Sequence, residues 1–112
     1  MNQKNNLALN QASKFINLTL DFETYYDKDF SLKKLTTIEY VADPRFMIWG
    51  VGIKIEDEKT EWYSKDEVEY TLHSIEWERV NLICHNTLFD GYILAEKFNI
   101  HPQFYNDTAS MA

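Results

Sequence analysis

The sequence predicts an α/β domain in which three meandering antiparallel strands are extended by parallel strands reached through helical crossovers. Three observations carry this expectation. The run Phe15–Glu23 alternates apolar and polar residues with period two. The second half of the chain switches between short β-rich runs and helical patterns, and two boxes of the Thr/Ser-x-x-Glu kind, Thr36–Glu39 and Ser64–Glu67, mark helix starts. The 112 residues are 45% hydrophobic and 15% aromatic with only 3 Gly and 2 Pro, which suffices for one packed domain and excludes a collagen-like or low-complexity chain.

Residues 1–14 are polar and without a period, a tail leading into a domain over residues 15–112. In the first strand Leu18, Leu20 and Phe22 take one face, and Asn17, Thr19, Asp21 and Glu23 the other. Thr24–Leu35 is a loop rich in aromatic and acidic residues. A short helix opens at the Thr36/Glu39 box and is stopped by Asp43-Pro44. Phe46–Ile55 is an apolar, β-rich second strand; Glu56–Lys59 is a charged turn, and Thr60–Tyr63 returns as a third strand. A helix is predicted from Ser64 to about Glu78, then a buried fourth strand over Val80–His85. Asn86 can cap the next helix, in which Leu88, Tyr92, Ala95 and Phe98 recur at helical spacing. Phe104–Asp107 reads as a fifth strand, and Thr108–Ala112 as the first turn of a further helix.

Eleven Lys plus Arg against eighteen Asp plus Glu leave a net charge of −7. A protein that holds nucleic acid by phosphate neutralisation alone is ordinarily basic, so this balance either excludes such a partner or requires metal ions between acid and phosphate. A single cysteine, Cys84, precludes an internal disulfide and fits a reducing, cytoplasmic setting. No run approaches the ~18 apolar residues of a membrane span, so no membrane partner is expected, and the polar N-terminus does not read as a signal peptide.

The most informative triplet is Asp21-Phe22-Glu23. Residues two apart on a strand share a face, so both carboxylates project together while Phe22 turns to the core. Adjacent ionised carboxylates must be protonated, solvated or bridged by a cation, and an all-oxygen donor set suits Mg²⁺ or Mn²⁺. Taken alone, Asp-x-Glu equally describes a polar strand face open to water. The second constellation, Asn86-Thr87-Leu88-Phe89-Asp90, lies where the fourth strand ends and a helix begins, the place where open α/β sheets build sites. Each member has an ordinary structural role as well, Asn86 as an N-cap and Asp90 as an acid favoured by the helix dipole. Together, if the first and fourth strands are neighbours, Asp21, Glu23 and Asp90 converge at one sheet edge and suffice for one or two metal ions.

Leu20-Asp21-Phe22-Glu23-Thr24 resembles the first motif of the DEDD 3′–5′ exonucleases, and His85-Asn86-Thr87-Leu88-Phe89-Asp90 their second. The flanking Thr24-Tyr25-Tyr26-Asp27, Ser31–Leu35, Tyr40, Asp43–Phe46 and Asp107-Thr108 segments are similar to the proofreading exonuclease domain of phage-type family A DNA polymerases. The resemblance runs from about Leu18 to Ala112. It implies an RNase H-like mixed sheet of order 3-2-1-4-5 with flanking helices. It implies two-metal hydrolysis of a terminal phosphodiester, with Asp21 bridging two divalent ions, Mg²⁺ or Mn²⁺, and Glu23 and Asp90 each holding one. Thr24, Asn86 and Phe89 would contact the single-stranded 3′ end of DNA. The family's third motif would lie beyond Ala112, so the chain is expected to be roughly two-thirds of an exonuclease domain, lacking the C-terminal helices and exposing apolar sheet surface meant for them. The alternative is a catalytically incomplete binding module, acting through an exposed sheet face on a polymerase, a nuclease or a defence protein, in a bacterial host cell if phage-encoded.

Other candidates are weaker. Cys84 and His85 are neighbours on a strand and point oppositely, which argues against a Cys-His dyad. His73 and His101 lack metal-ligand spacing, and Asp27-Lys28-Asp29 lacks the glycine and glutamate of a calcium loop. Trp49, Trp62 and Trp77 are expected in the core or at an interface; Tyr25 and Tyr26, just beyond the first motif, are better placed for a nucleotide.

Overall fold

The structure, a computed structural model, describes residues 15–107; the polar lead-in and the expected final helical turn lie outside the described residues. The elements are β1 (Ile16–Thr24), α1 (Thr37–Ala42), β2 (Ile48–Ile55), β3 (Glu61–Ser64), α2 (Lys65–His73), β4 (Val80–Cys84), α3 (Thr87–Phe98) and β5 (Phe104–Asp107), with a 3-10 turn at Trp77–Arg79. They build one five-stranded mixed sheet of order β3-β2-β1-β4-β5, the expected order. β1 pairs antiparallel with β2, and β2 with β3, whereas β4 runs parallel to both β1 and β5. Among the described residues no helix is long and apolar enough to cross a membrane.

The alternation of β1 decides which face is the core. Leu18, Leu20 and Phe22 are buried together with Val51 and Ile53 of β2 and Val80, Leu82 and Cys84 of β4. Tyr40 and Val41 of α1, Val68 and Leu72 of α2, and Ile93 and Leu94 of α3 complete this core. Each such aliphatic or aromatic side chain withdrawn from water contributes about 1.5–3 kcal/mol.

The opposite face of the sheet combines a polar ladder with exposed aromatic rings, Trp62 on β3 and Phe104 on β5. Asn106 Nδ2 donates to Asn81 Oδ1 at 2.8 Å, and Asn81 Nδ2 donates to Asn17 Oδ1 at 3.0 Å, a ladder across β5, β4 and β1. Such a row satisfies its amides within the sheet.

Both capping signals are used. Thr36 N–H donates to Glu39 Oε1 at 2.9 Å, and Glu39 N–H to Thr36 Oγ1 at 3.2 Å, so two orphan amides of α1 are satisfied reciprocally. At α2, Ser64 donates to Glu67 Oε1 from its amide at 3.1 Å and from its hydroxyl at 2.9 Å. Beyond α1, Arg45 pairs with Asp43 through Nε at 2.9 Å and Nη2 at 3.0 Å, which holds the Asp43 carboxyl down at about 2.

Two helices differ from the pattern. α2 ends at His73 rather than near Glu78, because Trp77 Nε1 donates to the Leu72 carbonyl at 2.8 Å and the Ser74 hydroxyl to that of Thr71 at 2.7 Å. These side chains take terminal carbonyls that another helical turn would have used. In α3 the buried row is Asp90, Ile93 and Leu94, with Tyr92, Ala95 and Phe98 only half-buried, while Leu88 is exposed. The helix therefore faces the sheet about one residue out of phase with the apolar spacing, and a carboxylate occupies its buried first turn.

Candidate active site

The parallel pairing of β1 with β4 covers Ile16–Thr19 against Val80–Ile83. β1 continues five residues further, past the point where β4 turns into α3, so its edge there lacks a strand partner on that side. The first turn of α3 fills the gap. Asn86 caps the helix, its Oδ1 accepting from Phe89 N–H at 3.4 Å. This seats Asp90 against β1, where its Oδ1 accepts the Phe22 N–H at 3.2 Å. Among the described residues Asp90 is the one charged residue in the buried core, 3% exposed. A buried carboxylate there is tolerated because it replaces the ladder bond that β4 no longer supplies.

Phe22 is the residue between the two acids. Asp21 and Glu23 project on the opposite, exposed face, so Asp90 reaches the backbone that links them from the core side. Asp21 and Glu23 thus share one face of β1 while Asp90 approaches the amide between them from the other, and among the described residues no three His, Cys, Asp or Glu side chains form a group that could hold a metal ion. Burial pushes the Glu23 carboxyl above its ordinary range, and the charge and hydrogen bonding of Asp21 beside it push the same way.

The antiparallel register sets a glycine opposite each acid, Gly52 facing Asp21 and Gly50 facing Glu23. No side chain therefore stands beside the carboxylates on the β2 side. Trp62 of β3 lies over this floor, so close that a Cβ at Gly50 would sit 2.2 Å from its ring. Asp21, Glu23, Gly52, Lys54 and Trp62 border a cavity of about 380 Å³ on this face. Gly50-Val51-Gly52 was expected only as part of the second strand and Trp62 only as a core or interface residue, not beside the acids. Glycines alternating within an apolar strand were the available signal, since they mark a close approach. Of the three tryptophans expected in the core or at an interface, Trp49 and Trp62 are about half exposed and so not in the core, whereas Trp77 is half-buried.

At the end of β1 the register slips between Glu23 and Thr24, a bulge of the kind that re-aims side chains beside sites. Thr24 Oγ1 lies 2.9 Å from the Tyr40 hydroxyl, which itself donates to the Tyr25 carbonyl. Tyr40's proton is thereby committed, and the Thr24 hydroxyl donates to it. Thr24, Phe22, Tyr40 and Phe89 wall a second, larger cleft of about 740 Å³ with Glu23 on its rim. Thr24 and Phe89 thus share one cleft. Asn86 is engaged in capping α3 and does not line it.

The loop over the cleft is ordered by Asp27. Its carboxylate accepts Tyr25 O–H at 2.5 Å and the amides of Asp29 and Phe30 at 2.8 Å each, which holds its pKa below the usual carboxylate range. Phe30 is fully buried, stacked on Tyr40 at 4.5 Å, with the Arg45 guanidinium 4.6 Å above its ring.

No family model matches the chain, and no curated protein matches it. The structure by itself shows a mixed α/β sheet with an acidic pair on one face and a buried aspartate behind it.

Proposed function

We propose that the chain is a metal-dependent 3′–5′ DNA exonuclease domain of proofreading type, on an RNase H-like sheet, hydrolysing the terminal phosphodiester of a single strand. The observation that carries the reading is the pairing of Asp21 with Glu23 on one exposed face of β1, with Asp90 bonded from the core side to the amide between them. The donor set fits hard divalent ions. It is all carboxylate oxygen, and Glu23, raised by burial and then by the charge and hydrogen bonding of Asp21, gains from a dication that offsets the repulsion between the two acids. Asp21 would be shared by two ions, with Glu23 and Asp90 each serving one. When bound, Mg²⁺ or Mn²⁺ supplies an activated water and charge for the leaving oxygen.

The chain's own contributions are then positional. The glycine floor leaves the acids open to a phosphate, and the Thr24 backbone and Phe89 border the cleft that leads to Glu23. The net charge of −7 is compatible with DNA because ions, rather than a basic surface, mediate the reacting phosphate.

The test is incubation with 5′-labelled single-stranded DNA and Mg²⁺ or Mn²⁺, beside an Asp21→Ala variant. A ladder of shortened products lost in the variant supports the reading; intact DNA at high protein concentration overturns it for this chain.

A second reading, a binding module on a polymerase, nuclease or defence protein, is favoured by the exposed Trp62 on a sheet face that no described helix covers. It predicts that Trp62→Glu abolishes capture of a purified partner of that kind while leaving the circular dichroism spectrum unchanged.

A further inference from the structure

We infer that Lys28, Lys33 and Lys34 hold the phosphates of a single-stranded DNA end as it crosses the larger cleft toward Glu23, with the ring of Tyr26 stacking on a base. The inference rests on the exonuclease reading of the acidic site and adds to it the means by which the strand is gripped.

Charge distribution is the first argument. The chain has only eleven Lys and Arg against eighteen Asp and Glu, yet three of its lysines line this one cleft. Two carboxylates share the lining, Glu23 and Asp27, and Asp27 is already committed to a hydroxyl and two amides. Lys28, Lys33 and Lys34 form no ion pair with another described residue. Three uncompensated ammonium groups on a strongly acidic molecule create a local attractive field for a polyanion that the rest of the surface repels.

Order is the second. Lysines on a solvated turn would gain little from being grouped, but this loop is anchored. Fully buried Phe30 pins its centre, and the Ser31 carbonyl accepts the amides of Lys34 at 3.1 Å and Leu35 at 2.9 Å. The backbone that presents Lys33 and Lys34 is therefore set before any strand arrives, which lowers the ordering cost of binding.

Chemistry distinguishes the occupant. Tyr26 borders the same cleft and is 73% exposed, an aromatic face that a base can stack on and that a purely anionic ligand does not need. Glu23 borders both this cleft and the cavity that contains Asp21, so a strand held by the lysines reaches one member of the acidic pair.

The experiment is fluorescence anisotropy with a 5′-fluorescein-labelled oligo-dT in EDTA, where no hydrolysis occurs, using the full chain over a salt series. The triple variant Lys28→Ala/Lys33→Ala/Lys34→Ala is expected to weaken binding by at least about tenfold, and each lysine removed is expected to reduce the slope of log affinity against log salt by about 0.7. The matching Arg variant restores both, and Lys59→Ala on the remote turn changes neither. Tyr26→Ala weakens oligo-dT while leaving a poly-glutamate probe unaffected. Wild-type affinity in the triple variant overturns the inference, as does the absence of oligo-dT binding by the wild type; equal, Tyr26-independent binding of poly-glutamate overturns the choice of DNA. Lysine-dependent binding without hydrolysis in Mg²⁺ would remove the exonuclease reading alone, and hydrolysis that persists in the triple variant at unchanged affinity would remove this one alone.

Discussion

The backbone N–H of Phe22 donates to Asp90 Oδ1 across 3.2 Å, tying the strand that carries Asp21 and Glu23 to the first turn of α3. The bond spans 68 residues of sequence and closes the gap left where β4 turns away from β1.

Asp90→Ala strands a buried amide and empties a packed position, so unfolding free energy should fall by about 1–3 kcal/mol. Asp90→Asn keeps an acceptor oxygen in place and should cost less than half as much. Urea denaturation of the two variants separates them. Equal losses would show that the charge of Asp90, rather than its hydrogen bond to Phe22, holds α3 to β1.

Glu23 carries a pH signature. Its carboxyl titrates higher in the folded chain than its ordinary value of 4.5, so ionising it costs more in the folded state than in the unfolded one. The penalty is absent below the ordinary value and grows as pH rises through the folded one. Glu23→Gln should therefore match the wild type at low pH and exceed it at neutral pH, by at most about 0.5 kcal/mol after solvent screening. Added Mg²⁺ should stabilise the wild type and not the variant. Thermal melts across pH, with and without Mg²⁺, read both effects.

The two floor glycines should respond differently to a methyl group. At Gly50 a Cβ meets the Trp62 ring at 2.2 Å and the Tyr63 carbonyl oxygen at 2.5 Å, and backbone cannot swing aside. Gly50→Ala is expected to destabilise by about 1–3 kcal/mol. At Gly52 the nearest atoms are Thr60 Cγ2 at 3.5 Å and the Asp21 carbonyl at 3.9 Å, ordinary contacts. Gly52→Ala should be neutral or raise stability by up to about 1 kcal/mol through the unfolded state. Denaturation midpoints measured side by side check the contrast.

Phe30 is the anchor of the cleft loop, fully buried between Tyr40 and Arg45. Phe30→Ala should cost about 3–5 kcal/mol, a large share of the stability of a domain this size. Hydrogen exchange at the Lys34 and Leu35 amides, bonded to Ser31, should accelerate more than exchange in β1 and β4.

Much of this was legible along the chain. The two-residue alternation of Leu18, Leu20 and Phe22 against Asp21 and Glu23 needs only the pleat of a strand. The Thr36/Glu39 box and the Asn86 cap act over three residues. What failed was phase and length. Leu88 was expected on the buried side of α3, but Asp90 took that place because the amide of Phe22 had no other acceptor. α2 stopped early because Trp77, folding back, took a carbonyl of its last turn. Neither cause is local to the helix concerned.

By itself the sequence determined the strands, the caps and the shared face of Asp21 and Glu23, because periodicity and near-neighbour hydrogen bonds are written into adjacent residues. Only the tertiary structure decided that Asp90 backs the acidic pair from the core side, that Gly50 and Gly52 stand opposite the two carboxylates, and that Lys28, Lys33 and Lys34 share a cleft with Glu23. Those relations follow from strand register and from where buried side chains find their partners, and residues far apart in sequence meet only when the sheet is assembled.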